Sequence, residues 1–177
     1  MRIFLFDTET DGLIRNSLVR EEKQPRIIEL FGLVLDGDLN EIDKWESLFA
    51  HPARLDDEII RITGITNDML DDAPLFPQKA QELKAFIESC DTVVGHNLTY
   101  DRDMVDNEMR RINEVVKWPK DQICTVEQTE HIKGFRLSLT NLHTHLFGEG
   151  FPNAHRAETD VRAMTRCFIE LRKRGEV

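Results

Sequence analysis

The sequence of 177 residues lacks the features that mark secreted or membrane proteins. Its three cysteines, Cys90, Cys124 and Cys167, are widely spaced and form no CxxC pair, so neither a disulfide framework nor a cysteine zinc site is indicated. No apolar run is long enough to span a bilayer, and the N-terminal segment becomes acidic at Asp7, too early for a secretory signal. We therefore expect a soluble, cytoplasmic protein.

Positive charge is also scarce, because 23 Lys and Arg residues stand against 33 Asp and Glu residues and the formal net charge is −10. This balance argues against a long nucleic-acid-binding surface, which needs clustered cations. It leaves open an enzyme that holds only a strand end, since few phosphate contacts suffice there and bound cations invert the local field. Arg15, Arg20, Lys23 and Arg26 share one charged loop; such a loop is more often merely solvated than a guide for phosphates.

The length and an apolar content of 40% suit one compact domain over residues 1–177. Apolar runs predict strands at residues 2–6, 27–35, 42–49, 92–95 and 122–126. The turn sequence DGDLN after the second strand predicts that the first three strands are antiparallel. Helical spacing predicts helices at residues 77–89, 100–112, 139–146 and 158–174, with short helical turns around TGIT. This order predicts an α/β fold in which helices cover a mixed sheet.

Acidic residues accompany three of these elements. Asp7 and Glu9 in FDTET end the first strand and, being two residues apart, share a face. Asp101 follows the strand at 92–95 and begins a helix, at the sheet edge where α/β proteins bind ligands; alone, it could simply charge the helix N-terminus. A fold that brings these acids together forms a carboxylate pocket, which is suited to divalent metal.

A histidine and another acid, His155 and Asp160, stand near the C-terminus. On one regular helix their side chains would be separated by about 140°, so they would not share a face. They converge if His155 lies on a loop ahead of the helix and Asp160 lies one turn inside it. By itself, His155 would be interpreted as an ordinary loop residue. The presence of the other acidic stretches favours a functional role for it.

Three motifs follow one another along the chain: FDTET, the N-x-x-Y-D that ends at Asp101, and H-x-x-x-x-D from His155 to Asp160. In order and spacing they resemble the motifs of the DEDDh, or DnaQ-like, 3′→5′ exonucleases. The segments IIELFGLVL, TGIT and ICTVEQT extend the resemblance over almost the whole chain. A sibling subclass carries tyrosine where this chain has Arg156, so the histidine version applies. The resemblance implies a ribonuclease H-like fold, a five-stranded mixed sheet with its first three strands antiparallel and helices on both faces.

The resemblance also implies a set of site residues. Two divalent ions, Mg²⁺ or Mn²⁺, would be held by Asp7, Glu9, Asp101 and Asp160. His155 would be the general base that takes a proton from the attacking water. Residues that flank the 3′-terminal nucleotide in related enzymes correspond here to Thr8, Thr10, Leu13, Ile65, Asn97 and Tyr100. Many relatives have HGIT where this chain has TGIT, so this chain has no histidine to fill the role that it has in those relatives. Ile65, in the same turn, is predicted to pack as a wedge against the base.

We expect a metal-dependent 3′→5′ exonuclease that removes 5′-mononucleotides from single-stranded or frayed ends, with DNA slightly favoured over RNA. The alternatives are a proofreading subunit active within a polymerase complex, a 3′→5′ exoribonuclease, a catalytically silent nucleic-acid-binding module and an unrelated metal phosphohydrolase. We expect the protein to bind a nucleic-acid 3′ end and no membrane. It could also form a homodimer or bind a polymerase, and the sequence does not decide between these states. The short segment after the last helix carries no polymerase-binding extension, which favours a free-standing enzyme.

Overall fold

The computed structural model describes residues 1–15, 20, 23–152 and 154–177. Its five strands are β1 (Ile3–Thr10), β2 (Ile27–Leu35), β3 (Glu41–Leu48), β4 (Thr92–Gly95) and β5 (Asp121–Cys124). They form one sheet in the order β3-β2-β1-β4-β5. β2 is antiparallel to both β1 and β3, whereas β4 is parallel to both β1 and β5. The predicted fold, a mixed sheet that begins with three antiparallel strands, is confirmed.

The helices are α1 (Asp57–Thr63), α2 (Asn67–Asp71), α3 (Phe76–Glu88), α4 (Leu98–Arg111), α5 (Thr125–Gln128), α6 (Glu130–Lys133), α7 (Leu139–Phe147) and α8 (Ala157–Arg174). The four predicted helices correspond to α3, α4, α7 and α8. The predicted turn around TGIT lies between α1 and α2, where Gly64 has a φ of 70°. Within the described residues, none of the helices combines the length and apolarity that a membrane crossing needs.

The ends of two strands, β1 and β5, differ from the predicted ends by two residues or more. The first strand was expected to end at Phe6, but β1 continues through Asp7 and Glu9 to Thr10 because β2 pairs with it along this whole length. The pairing register shifts between Glu9 and Thr10, so a bulge lies beside the acids. The last strand was predicted at residues 122–126, whereas β5 ends at Cys124 and the next residues begin α5.

β1 separates two hydrophobic layers because its side chains alternate between the faces of the sheet. Phe4 and Phe6 point into the layer that is covered by α3 and α4. Ile3 and Leu5 point the opposite way, into the layer that is covered by α8. Continuing this alternation, Asp7 and Glu9 belong to the α8 face, and the residues between and after them belong to the α4 face.

β2 is buried along its entire length because it lies between β1 and β3 and has helices on its faces. Gly32 in this strand lies against the ring of Phe4, and a Cβ atom at this position would lie 2.1 Å from the ring atom Cε2. Only glycine therefore leaves room for the phenyl ring of Phe4 to lie over β2 at this position. This close approach fixes the position of β1, the strand that carries the first two acids.

Candidate active site

Two side chains of β1 open onto the site from the α8 face of the sheet. Asp7 is partly exposed where the strand meets the cavity, and Glu9 is nearly buried. Between them, Thr8 faces α4 and is also buried. The strand thus directs two carboxylates to one side and a threonine to the other.

The third acid, Asp101, comes from the first turn of α4 and is 3% exposed. Its Oδ1 atom accepts hydrogen bonds from the backbone N–H of Thr8 at 3.0 Å and from the Thr8 hydroxyl at 2.7 Å. The helix starts after Asn97, which adopts the left-handed conformation with φ 75°. Asp101 is therefore joined to β1 and does more than charge the end of its own helix.

The remaining two residues lie at the entrance of α8, as the sequence predicted. His155 precedes the helix with a φ of 69°, and its backbone N–H donates to Oδ2 of Asp160 at 2.9 Å. Asp160 lies in the first turn of α8. This hydrogen bond closes the turn so that both side chains face β1, and candidate ligand atoms of Glu9, His155 and Asp160 all lie within 4.8 Å of one another.

An ion pair that was not predicted from the sequence supports this arrangement. Glu29 of β2 accepts hydrogen bonds from Nε of Arg156 at 3.1 Å and from Nη2 at 2.7 Å, and it also accepts from the backbone N–H of Ala157 at 2.9 Å. Glu29 therefore caps α8 from a neighbouring strand, since the side chain of Arg156 at the helix N-cap makes no capping bond. The signal in the sequence was a single charged residue inside the apolar run IIELFGLVL.

All five predicted catalytic residues line one cavity of about 390 Å³: Asp7, Glu9, Asp101, His155 and Asp160. Burial, followed by repulsion from neighbouring carboxylates, raises the pKa of Glu9 to about 8 and holds the pKa of Asp7 well above its usual range. Burial also raises the pKa of Asp101 to about 7, although its bonds from Thr8 oppose the rise. Burial raises the pKa of Asp160, and its bond from the backbone of His155 opposes that rise. Without cations, these acids resist ionisation.

The donor set fits hard divalent cations. Oδ1 of Asp160 is buried and has no hydrogen-bond partner among the residues that the structure describes. A buried carboxylate oxygen without a donor is costly unless a cation occupies its lone pairs. Carboxylate oxygens are the preferred ligands of Mg²⁺ and also suit Mn²⁺. The residues present are therefore suited to hold such ions.

Five of the six predicted substrate-binding residues line the same cavity: Thr8, Thr10, Leu13, Asn97 and Tyr100. The hydroxyl of Thr8 is already bonded to Asp101, and the hydroxyls of Thr10 and Tyr100 each donate to the carbonyl of Gly12. Leu13 is 80% exposed beside them. Leu13 therefore offers an exposed apolar surface to a ligand in the cavity. The hydroxyls of the two threonines and the tyrosine hold the neighbouring backbone and Asp101 in place.

Ile65 was predicted to contact the substrate, but the structure places it elsewhere. Its side chain is fully buried in a cluster with Ile28, Leu55 and Leu70, and it does not line the cavity. The turn at Gly64 directs Ile65 inward because burial of a large aliphatic side chain is favourable by about 1.5–3 kcal/mol. Ile65 is therefore a core residue in this conformation.

The sheet has the strand order of the ribonuclease H-like fold, and carboxylates from β1, α4 and α8 meet a histidine around one cavity. Together these features define a nuclease of that fold. The chain belongs to the exonuclease family designated RNase_T, whose sequence profile matches residues 4–168. The DEDDh exonuclease class that the three motifs predicted is thereby confirmed, and so is the prediction that the protein is an enzyme.

Curated relatives at 30% identity or more include bacterial polymerases. The chain is 32% identical over 171 residues to the "DNA polymerase III PolC-type" of Bacillus subtilis and 34% identical over 169 residues to that of Staphylococcus haemolyticus. These matches cover 96% and 94% of this chain, but only 11% of each polymerase. The chain therefore spans a small part of the length of these relatives.

Similar solved structures include exonucleases bound to nucleic acids. The zinc-bound E. coli exonuclease I complex with single-stranded DNA has a TM-score of 0.79 at 16% identity, covering 98% of this chain and 41% of that one. The nuclease domain of 3′hExo, a DEDDh family member bound to rAMP, has a TM-score of 0.77 at 18% identity and covers 98% and 92% of the two chains. At these identities the likeness establishes the fold.

Proposed function

We propose that residues 1–177 form a single exonuclease domain that removes 5′-mononucleotides from the 3′ end of single-stranded or frayed nucleic acid, and that it depends on divalent metal. DNA is the preferred substrate over RNA in this proposal. The observation that carries it is the convergence of the four acids and the histidine on one cavity. A cavity of about 390 Å³ suits a single terminal nucleotide better than a continuous duplex.

The metal site consists of Asp7, Glu9, Asp101 and Asp160, and we propose that it holds two Mg²⁺ or Mn²⁺ ions. When bound, these ions activate water and stabilise the charge that develops on the reacting phosphate. Their binding also removes the repulsion that raises the pKa values of the buried acids. Thr8 orients Asp101 through two hydrogen bonds, and the N–H of His155 orients Asp160.

His155 acts as the general base in this proposal. Its side chain is exposed toward the cavity and lies within reach of Glu9 and Asp160. An imidazole can accept a proton near neutral pH and return it to solvent, which suits proton transfer from an attacking water. The left-handed backbone of His155 places the ring ahead of α8, where solvent can carry the proton away.

The terminal nucleotide contacts the cavity wall. Leu13 offers an apolar surface to the base, and such contacts tolerate any base sequence because every base has a π-face. Asn97 also lines the cavity, and its side-chain amide can hydrogen-bond to the sugar or phosphate. Thr8, Thr10 and Tyr100 support the substrate mainly by holding the loop and Asp101 in position.

A second candidate function is proofreading beside a polymerase. It is favoured by identities of 32% and 34% to PolC-type polymerases along nearly the whole of this chain. The two candidates share their chemistry and differ only in the partner. A homodimer and a cytoplasmic location also stay predictions.

The proposal is tested by incubating the purified protein and Mg²⁺ with 5′-labelled DNA and RNA oligonucleotides of equal sequence and following the lengths of the products. Stepwise shortening from the 3′ end that stops on adding EDTA supports it, and the ratio of the DNA and RNA rates decides the preference. Cleavage only when a polymerase is added favours the second candidate. Absence of cleavage under both conditions would contradict both.

Single substitutions test the site assignment. Asp7→Ala and His155→Ala should each abolish cleavage while the protein remains folded. Asp103→Ala is the matched control, since it removes an acid from α4 that does not line the cavity. Full activity in either site variant would remove that residue from the mechanism.

A further inference from the structure

A second cavity, of about 420 Å³, adjoins the candidate active site along the loop that follows β1. Leu13 lines both cavities, so the surface is continuous from one to the other. Three cations line the second cavity: Arg15, Lys23 and Arg26. The protein as a whole has a net charge of −10, so these cations give one side of the proposed nucleotide site a charge opposite to that of the molecule.

The cations in this second cavity are available to a ligand. Arg15 and Lys23 are exposed, and neither side chain has a carboxylate partner within the described parts of the chain. Arg26 lies 3.8 Å from Glu108, a long distance for an ion pair. Because exposed, loosely held cations interact strongly with phosphates at low ionic strength, these three side chains are suited to bind them.

The backbone around these cations is held in place. The side chain of Gln24 accepts a hydrogen bond from the N–H of Arg15 at 2.8 Å and donates to the carbonyl of Arg15 at 3.3 Å. Gln24 is buried, and Arg111 donates to its carbonyl at 2.7 Å. The buried side chain of Gln24 thus holds the backbone of Arg15 beside that of Lys23, its own neighbour in the sequence.

The acid in this cavity does not cancel the positive charge toward a ligand. Asp11 accepts a hydrogen bond from the backbone N–H of Arg26 at 2.6 Å through Oδ1, and its Oδ2 lies 2.9 Å from Nε2 of His51. Both oxygens are therefore engaged within the wall. The described lining of the cavity therefore contains three cations and one acid.

A third cavity, of about 440 Å³, lies beside α1 and α8, but among the described residues it shares no lining residue with the candidate active site, and it is less suited to phosphates. Its two arginines are Arg61 and Arg156. Arg156 is bound to Glu29 at two points, so its guanidinium is not available to a phosphate. Glu158 adds negative charge to the lining. The cavity beyond Leu13 is the more favourable path.

We propose that Arg15, Lys23 and Arg26 bind the phosphates of the nucleotides upstream of the 3′-terminal one. This inference rests on the proposed function and gives the substrate a direction: the strand runs from the acidic cavity over Leu13 into the basic cavity. Phosphate contacts carry no base information, so the gain in binding is independent of sequence. The catalytic efficiency kcat/KM therefore rises with oligonucleotide length until the basic cavity is filled.

The test compares Arg15→Gln/Lys23→Gln with Arg61→Gln/Lys120→Gln, a control that removes the same charge from the third cavity and from an exposed site. Substrates are oligonucleotides of increasing length and the p-nitrophenyl ester of thymidine 5′-phosphate, which has no upstream phosphate. The first variant should lose most of the gain in kcat/KM with length and hydrolyse the ester normally. Its salt dependence should be shallower by about 1.4 in the log–log slope, at roughly 0.7 per contact on a single strand. The control should match the wild type.

Binding of a fluorescent oligonucleotide in Ca²⁺, measured by anisotropy, gives a readout that needs no cleavage. Weaker binding of the first variant, equal for different base sequences, supports the proposed path. Unchanged affinity, length dependence and salt slope would overturn it, as would a larger loss in the control. If no substrate is cleaved but the variant still binds more weakly than the wild type, the proposed enzymatic function fails and the phosphate path stands.

Discussion

Glu29 and Arg156 are 127 residues apart in the sequence, and they form a two-point ion pair beside the candidate active site, with N···O distances of 2.7 and 3.1 Å. The same carboxylate accepts a hydrogen bond from the N–H of Ala157 at the start of α8. Because His155 immediately precedes this pair, β2 holds in place the segment that carries the proposed general base. The position of the proposed general base therefore depends on a residue that does not itself line the cavity.

Glu29→Gln is expected to weaken the entrance of α8 and to slow cleavage. The neutral amide accepts hydrogen bonds from Arg156 less strongly than a carboxylate, so the free energy of unfolding should fall by about 1–3 kcal/mol. Displacement of His155 should lower kcat by roughly 10- to 100-fold, with a smaller change in KM. Urea unfolding and steady-state kinetics measure the two effects.

Glu41→Gln is the matched control for Glu29→Gln. Glu41 also lies opposite an arginine of α8, Arg162, but both side chains are exposed and the distance is 3.4 Å. Such surface pairs contribute less than about 1 kcal/mol, and this one is remote from the cavity. Equal effects of the two substitutions would show that Glu29 has no special part in holding His155.

Asp7→Asn is expected to abolish cleavage and to stabilise the metal-free protein. Burial and repulsion from Asp101 and Glu9 raise the pKa of Asp7, so near neutral pH folding must either protonate this carboxyl or keep it ionised at a cost, and a neutral amide removes that cost. The gain in unfolding free energy should be on the order of 1 kcal/mol. The wild type should gain about 2.7 kcal/mol when Mg²⁺ is present at 100 times its Kd, and the variant should gain less. Thermal unfolding with Mg²⁺ or EDTA measures both changes, and a less stable metal-free variant would contradict the charge argument.

The stability of the metal-free protein is expected to fall as pH rises. Burial raises the pKa of Glu9 from 4.5 to about 8 and the pKa of Asp101 from 3.8 to about 7. Between the ordinary and raised values the folded state binds more protons than the unfolded state, so the free energy of unfolding decreases with pH. The urea midpoint in EDTA should therefore decline from about pH 5 to pH 8, and Glu9→Gln should make the decline shallower. A midpoint that stays constant or rises over this range would contradict the prediction.

Ile65→Ala and Leu13→Ala are expected to have opposite effects on stability and substrate binding. Ile65 is fully buried, so its truncation should cost about 2–5 kcal/mol of unfolding free energy without a specific change in KM. Leu13 is 80% exposed at the cavity, so its truncation should raise KM for oligonucleotides and leave stability within about 0.5 kcal/mol. Urea unfolding and kinetics below the unfolding transition measure both variants. A raised KM in folded Ile65→Ala protein would restore Ile65 as a substrate contact.

Local patterns in the sequence were enough to predict most of the sheet and the acidic motifs. The apolar runs at β2 and β4 predicted the strands Ile27–Leu35 and Thr92–Gly95 with the bounds that the structure shows. The spacing of His155 and Asp160 required a loop followed by one helical turn, which is the observed arrangement. These features follow from short-range geometry, because side-chain direction is set by the strand or helix repeat.

Contacts between distant segments decided what the sequence alone did not. Pairing with β2 extends β1 past Asp7, although an acidic segment by itself does not indicate a strand. Packing turned Ile65 into the core, since its environment comes from residues on other elements. Folding brought Glu29 to Arg156, and a one-dimensional pattern contains no distance between residues so far apart. The sequence by itself determined which residues could perform metal-dependent chemistry, and the tertiary structure decided which of them meet, because only the folded chain sets long-range distances and burial.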